Sequence, residues 1–212
     1  MASLDYKLSD ERLKYLHIME AVNYARVAQI PLTYFEFGCH SGRTFSAAIR
    51  AADYLLIKEM KFYAFDSFQG LPKTNVEIDG YFKEGSFATS TDVFLTKVRQ
   101  YTGRTLNLKN VVEGFYEDSL TATLQSNMPM VGIVHIDVDL YSSTKQVLEF
   151  IKPLIVSGTV ILFDDYYAFP PDGKKGEMRA FKEFINENQN ISVREWKAYS
   201  TFGQSFFIIF KS

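Results

Sequence analysis

Short apolar runs alternate along this chain with longer stretches of mixed apolar and polar residues. The runs at Thr33 to Phe37, Phe62 to Phe65, Asn110 to Glu113, Gly132 to Asp137 and Thr159 to Phe163 are rich in aromatic and β-branched residues, and each predicts a strand. Between them lie stretches with helical spacing, over 44–59, from Thr89 or Ser90 to Tyr101, from Ser142 or Ser143 to about Ile155, and from about Gly176 to Asn188. Thr102-Gly103 stops the second of these helices. An N-terminal helix is predicted from Ser9 to about Gln29, capped by Ser9, with Asp10 and Glu11 at its positive end. Leu13, Leu16, Val22 and Val27 supply its apolar surface, and Pro31 ends it. The last two runs, Ser192 to Ala198 and Ser205 to Phe210, predict an antiparallel hairpin.

Apolar strands separated by helices imply a parallel sheet covered on both faces. The predicted fold class is therefore α/β, a three-layer Rossmann-like arrangement whose mostly parallel sheet carries a C-terminal antiparallel hairpin. The 212 residues suit one domain, with 1–30 as an N-terminal helical segment and 31–212 as the core. A net charge of −2, with both signs mixed along the chain, gives no electrostatic footprint for nucleic acid or an anionic membrane. No run reaches the ~18 apolar residues of a membrane span, and residues 1–11 lack the apolar centre of a secretory signal. With Cys39 the single cysteine, there is no internal disulfide, and the expected location is the cytoplasm.

In open α/β sheets ligands bind beyond the carboxyl ends of the strands, so the residues following each strand carry the functional signal. After the first strand comes Glu36-Phe37-Gly38-Cys39-His40-Ser41-Gly42, where the two glycines frame a tight turn. A dinucleotide loop needs glycine where Glu36 stands, and a carboxylate there suits a ligand with an ammonium or sulfonium group. Asp66 follows the second strand, placed to accept hydrogen bonds from ribose hydroxyls; alone it could equally cap a turn.

Four aspartates end the next two apolar strands. Asp137 and Asp139, two residues apart, would point to one side of an extended backbone. Asp164 and Asp165 close the following strand, its expected spatial neighbour. Any one of them could cap a helix or turn. Four together repel unless a cation or protons intervene, and oxygen-only ligands favour Mg²⁺, with Mn²⁺ or Ca²⁺ as alternatives.

Three segments taken together resemble the macrocin O-methyltransferase family: 65–72 (FDSFQGLP), 135–144 (HIDVDLYSST) and 163–166 (FDDY). The resemblance runs from about Tyr34 to Tyr167. It implies a class I S-adenosylmethionine-dependent enzyme that uses magnesium to methylate a hydroxyl, commonly on a sugar or glycosylated natural product. By position, Asp137, Asp164 and Asp165 would hold the metal and Asp139 would be the general base. Glu36, Gly38, Asp66, Ser67, Gly114 and Glu117 would line the cofactor site, with Gly42 closing the glycine turn. The partner is then a small molecule with a free hydroxyl, and a homodimer is compatible. Members carry a longer region before the first strand, so the loop from Asp79 to Ser90 and the segment from Tyr166 to Gly176 are the expected cover. The chain could also be one domain of a larger enzyme. Competing readings are a methyltransferase for a catechol-like phenol or an amine, and an NAD-dependent oxidoreductase, against which Glu36 argues.

The remaining candidates read more quietly. His135 is expected as a satisfied core histidine, His17 on a helix surface, and Cys39 as a packing residue. His40 could touch ligand or solvent. Tyr166, Tyr167 and Phe169 with Pro170-Pro171 could form an aromatic wall for a sugar or ring, or simply pack the loop.

Overall fold

A computed structural model describes residues 2–75, 77, 80–169 and 173–211, with side chains from residue 9 onward. Helix α1 (Ala2–Val27) precedes β1 (Thr33–Phe37), α2 (Arg43–Tyr54), β2 (Lys61–Asp66) and α3 (Thr91–Thr102). A 3-10 turn (Leu108–Asn110) leads into β3 (Val111–Glu113), followed by two short helices, α4 (Tyr116–Ser119) and α5 (Ala122–Ser126). Then come β4 (Val131–Ile136), α6 (Tyr141–Ile151), β5 (Ile155–Phe163), α7 (Gly176–Glu187), β6 (Ile191–Ala198) and β7 (Gln204–Phe210).

The sheet order is β3-β2-β1-β4-β5-β7-β6. Strands β1 to β5 pair in parallel, and β7 runs antiparallel to both β5 and β6. This is the mostly parallel, Rossmann-like sheet with an antiparallel end that the strand pattern predicts. Strand order reverses between β1 and β4, and the gap beyond their carboxyl ends is where such sheets take ligands.

Period-two alternation assigns the two faces. Phe35, Phe37, Phe65, Val134, Ile136, Ile161 and Phe163 join α6 and α7 in one buried cluster. Tyr34, Phe62, Ala64, Ile133, Val160 and Leu162 face α1, α2 and α3 in the other. Glu36 and His135 fall on this second face, and β1–β4 register makes them direct neighbours. Asp164 continues the row one strand over, past Leu162, which is the register partner of His135.

Several boundaries differ from the sequence expectation. Helix α1 begins at Ala2, so Ser9 lies inside it and does not cap it. The helix buries Ile18, Ala21, Val22 and Ala25 and leaves Leu13, Leu16 and Val27 more than half exposed. His17 is not on the surface: it is buried, stacked on Tyr199 and within 2.8 Å of Ser205 Oγ and Glu20 Oε2. Strand β5 starts at Ile155, and Ser157-Gly158 makes an irregularity within it rather than a turn before it. Helix α3 matches its signals: Ser90 Oγ accepts from the Val93 amide, and Gly103 ends it in the left-handed conformation.

Candidate active site

The carboxyl ends of β1, β2, β4 and β5 open onto a cavity of about 690 Å³. Gly38 makes the close approach of β1 to β4 possible, since at φ +84° a Cβ would stand 1.7 Å from the Asp137 carbonyl oxygen. Beyond β2, Asp66 is already engaged on both oxygens: Oδ2 accepts the His40 amide and Oδ1 the Phe68 amide, each at 2.7 Å. A carboxylate has about four acceptor positions, so it retains capacity for two hydroxyl donors. Burial raises the Asp66 pKa and these amide bonds oppose the rise. Ser67 turns the next loop, its hydroxyl donating to the Gly70 carbonyl at 2.8 Å and accepting the Gln69 amide at 3.0 Å. The Gly114 amide donates to the Asp66 carbonyl, which seats Glu117 on the cavity rim.

The β4 and β5 ends are built differently. Asp137, Asp164 and Asp165 each bring one carboxylate oxygen within 4.8 Å of the others. Asp139 joins Asp137 and Asp165 on the cavity wall, with Asp164 buried behind them, though not through an extended backbone: β4 ends at Ile136, and Asp139 has φ +59°. The N-cap of α6 is Leu140, so Asp139 does not cap that helix. Beneath them Glu177, fully buried at the start of α7, accepts the Asp165 amide at 3.0 Å and makes a longer contact with the Val138 amide. Burial, then the charge of neighbouring carboxylates, pushes Asp137, Asp139 and Glu177 well above the usual carboxylate range and Asp165 to about 6.

Asp164 is the exception. Burial would raise its pKa, but His135 and Lys14 hold it down. Lys14 Nζ, reaching in from α1, donates to Asp164 Oδ2 at 2.5 Å. His135 Nε2 stands 3.8 Å from Asp164 Oδ1, and its Nδ1 is 3.3 Å from Glu36 Oε2. Burial opposes charge on the imidazole, yet Asp164 and Glu36 outweigh it and lift His135 to about 10. The sheet row is thus Glu36, His135, Asp164; His135 is buried as expected but is not fully satisfied, since its Nε2 has no hydrogen-bond partner among the described residues.

Glu36, Gly42 and Asp164 are not among the residues lining the cavity. Glu36 is fully buried and accepts from Tyr34 Oη at 2.5 Å and Thr44 Oγ1 at 2.8 Å, because its position in β1 turns it toward His135. Gly42 has φ +76° and packs against Phe94 and Val98 of α3. Gly38, Asp66, Ser67, Gly114, Glu117, Asp137, Asp139 and Asp165 all line the space. Cys39 is buried and its thiol faces the Glu36 carbonyl, consistent with packing.

The aromatic wall is not the expected one. Tyr166 packs into the core against Phe163, Phe181 and Phe206, and Tyr167 lies against Tyr166. The cavity is walled instead by Tyr81, Phe82 and Phe87. Phe169 backs this wall, its ring 6.1 Å from Tyr81 and 5.9 Å from Phe82 and wedged between Gly80 and Gly176. Asp79, Pro170 and Pro171 lie outside the described residues. Lys14 and Glu177 were not anticipated; a helical lysine and a glutamate in a first turn are ordinary features of a sequence.

The profile of the family described as macrocin-O-methyltransferase (TylF) matches residues 6–196. The chain belongs to the macrocin O-methyltransferase family. Membership makes it an S-adenosylmethionine-dependent O-methyltransferase. No curated protein sequence matches it. Among solved structures, the O-methyltransferase NovP is similar at TM-score 0.70 and 21% identity, over 93% of this chain and 79% of NovP. The calicheamicin methyltransferase CalS11 is similar at TM-score 0.69 and 17% identity, over 91% and 77% of the two chains. The methyltransferase PaMTH1 of Podospora anserina, solved with SAH bound, matches at TM-score 0.57 and 15% identity, over 91% and 76%. At these identities the neighbours establish the shared fold.

Proposed function

We propose that the protein is a divalent-metal-dependent methyltransferase that transfers a methyl group from S-adenosylmethionine to a sugar hydroxyl of a small molecule. One observation carries the reading: Asp137, Asp164 and Asp165 converge within 4.8 Å, and two of them, Asp137 and Asp165, line the cavity that Asp66 also lines. The donor set is all oxygen, Asp164 Oδ1 is buried with no hydrogen-bond partner among the described residues, and the neighbouring carboxylates raise the proton affinity of Asp137 and Asp165, as acids sharing a site without a cation do. These features fit Mg²⁺ or Mn²⁺. The sugar acceptor is supported by family membership and by the fold shared with CalS11, which is described as a TDP-rhamnose 3'-O-methyltransferase.

In this reading Asp66 accepts the ribose hydroxyls, with Gly38, Ser67, Gly114 and Glu117 shaping the nucleoside end. Glu36 acts from behind, orienting His135. S-Adenosylmethionine would supply the methyl group, and Asp137, Asp164 and Asp165 would hold a divalent ion whose positive charge would acidify a nearby hydroxyl. Asp139 takes the acceptor proton at its carboxylate; free aspartate, near 3.9, is a poor base, and burial beside Asp165 raises its proton affinity. Tyr81, Phe82 and Phe87 exclude water and stack on the acceptor ring. Holding both substrates in line is worth several orders of magnitude in rate.

The test is methyl transfer to nucleotide sugars, glycosides and catechols in the presence of Mg²⁺ or of EDTA. Turnover of a sugar that stops with EDTA and returns with Mg²⁺ is expected. Undiminished turnover in metal-free buffer would leave the acids with structural roles only.

A further inference from the structure

One carboxylate of the cluster, Asp164, is already paired with a cation belonging to the chain. Lys14 projects from α1 and places its ammonium 2.5 Å from Asp164 Oδ2 and 3.8 Å from Asp10 Oδ2. Its side chain is 22% exposed, against 7% for Asp164. The helix is held over this spot one turn earlier, where Asp10 Oδ1 accepts both the amide and the hydroxyl of Thr201 at 2.8 Å. Lys14 is therefore delivered to the cage by a helix fastened at the β6–β7 turn, rather than reaching it as a free surface side chain.

The charges around it make the contact consequential. Asp137, Asp139, Asp164, Asp165 and Glu177 face one another, and Lys14 and His135 are the cations set against them. Lys14 sits on the side of Asp164 away from His135: the ammonium meets Oδ2, and the imidazole lies nearer Oδ1. Asp164 is also one of the three carboxylates whose oxygens cluster within 4.8 Å. A lysine ammonium and a divalent ion sharing that carboxylate would repel each other at short range.

Resting on the metal reading above, we propose that Lys14 is a built-in counter-cation that competes with the divalent ion for Asp164. In the ion-free protein the ammonium neutralises the carboxylate and ties α1 to the tip of β5. As the ion binds, Lys14 gives up the contact, so the seating of α1 is linked to occupancy of the cage. Competition of this kind lowers ion affinity by the coupling between the two cations, and linkage makes the effect reciprocal.

The experiment measures Mn²⁺ affinity by calorimetry for the full chain, its Lys14→Met variant and its Lys14→Arg variant, with SAH affinity as the control for folding. Lys14→Met should bind Mn²⁺ at least about tenfold more tightly than the wild type, with Lys14→Arg within about threefold of it. Equal or weaker binding by Lys14→Met overturns the proposal while leaving the metal reading intact. Failure of both wild type and Lys14→Met to bind Mn²⁺ overturns the two together. A second measurement needs no variant: with the lysines ¹³C-labelled, the Lys14 Cε resonance of the wild type should move with Mg²⁺ occupancy. A resonance that does not respond to bound Mg²⁺ contradicts displacement of the ammonium.

Discussion

The two ends of the cavity treat their acidic residues in opposite ways. At the β1–β2 end, Asp66 has an amide on each oxygen, and Gly38 and Gly114 close the backbone around it. At the β4–β5 end, Asp137, Asp139 and Asp165 crowd together in a buried site, so each holds its proton more tightly than a free carboxyl does, and Asp164 is set against Lys14 and His135. A site for neutral hydroxyls can be finished by the chain in advance, since the ligand brings no charge. A cage for a divalent ion is left electrostatically strained, and the strain is relieved when the ion arrives.

The comparison breaks first at Asp139. Asp139→Asn should lower turnover by about 10² to 10⁴ while SAH affinity stays within about twofold, as read by steady-state kinetics and calorimetry. Loss of SAH binding instead would mean that the two ends do not act separately. The next largest effect belongs to Gly38→Ala. Its Cβ would lie inside contact distance of the Asp137 backbone, which cannot rotate away as a side chain could. A loss of about 3 kcal/mol or more in urea unfolding is expected, and a loss below about 1 kcal/mol would show that β1 and β4 can part freely.

Glu177→Ala is expected to cost about 1–3 kcal/mol, because the part-buried Asp165 amide loses its acceptor. An unchanged melting temperature would remove Glu177 as the clamp beneath the cage. At the other end, Asp66→Asn should weaken SAH binding about tenfold and leave Mn²⁺ affinity alone, sharpening the division between the ends.

Smallest in size is a pH effect confined to the acidic end. Burial and the charge of Asp164 lift Asp165 to about 6, above its unfolded value near 3.9. The folded state therefore holds that proton more tightly. The corresponding stability is fully present below about pH 4 and is lost as pH rises through about 6. In EDTA the melting temperature should fall between pH 5 and 7.5, and Mg²⁺ should remove most of that fall. A flat profile in EDTA would mean that the carboxylates do not strain one another.

Much of this was legible along the chain because strand ends announce themselves. Apolar runs ending at aspartates located β2, β4 and β5, an aromatic run ending at Gly38 located β1, and parallel topology brings their carboxyl ends to one edge. What could not be read was orientation. The apolar residues of α1 are spread around the helix, with Leu13 and Leu16 exposed and Ile18 and Val22 buried, so its inward face was ambiguous. That ambiguity hid both Lys14 and His17. Glu177 looked like a first-turn acid facing the helix dipole, and only the packing of α7 against the β4 and β5 tips turns it inward. The sequence left Tyr166, Tyr167 and Phe169 open between an aromatic wall and loop packing. Tyr166 found core partners, and the cavity's aromatic wall, Tyr81, Phe82 and Phe87, comes from the loop that the sequence had marked as cover without singling out these residues.

The central claim is that the β4 and β5 tips form a cage for a divalent ion next to the nucleoside site. Crystals grown with Mn²⁺ and SAH, measured at the manganese absorption edge, address it directly. The account predicts one strong anomalous peak bounded by the carboxylates of Asp137, Asp164 and Asp165, with SAH ribose on Asp66. A peak elsewhere, or bound SAH with no peak among those three side chains, would contradict it.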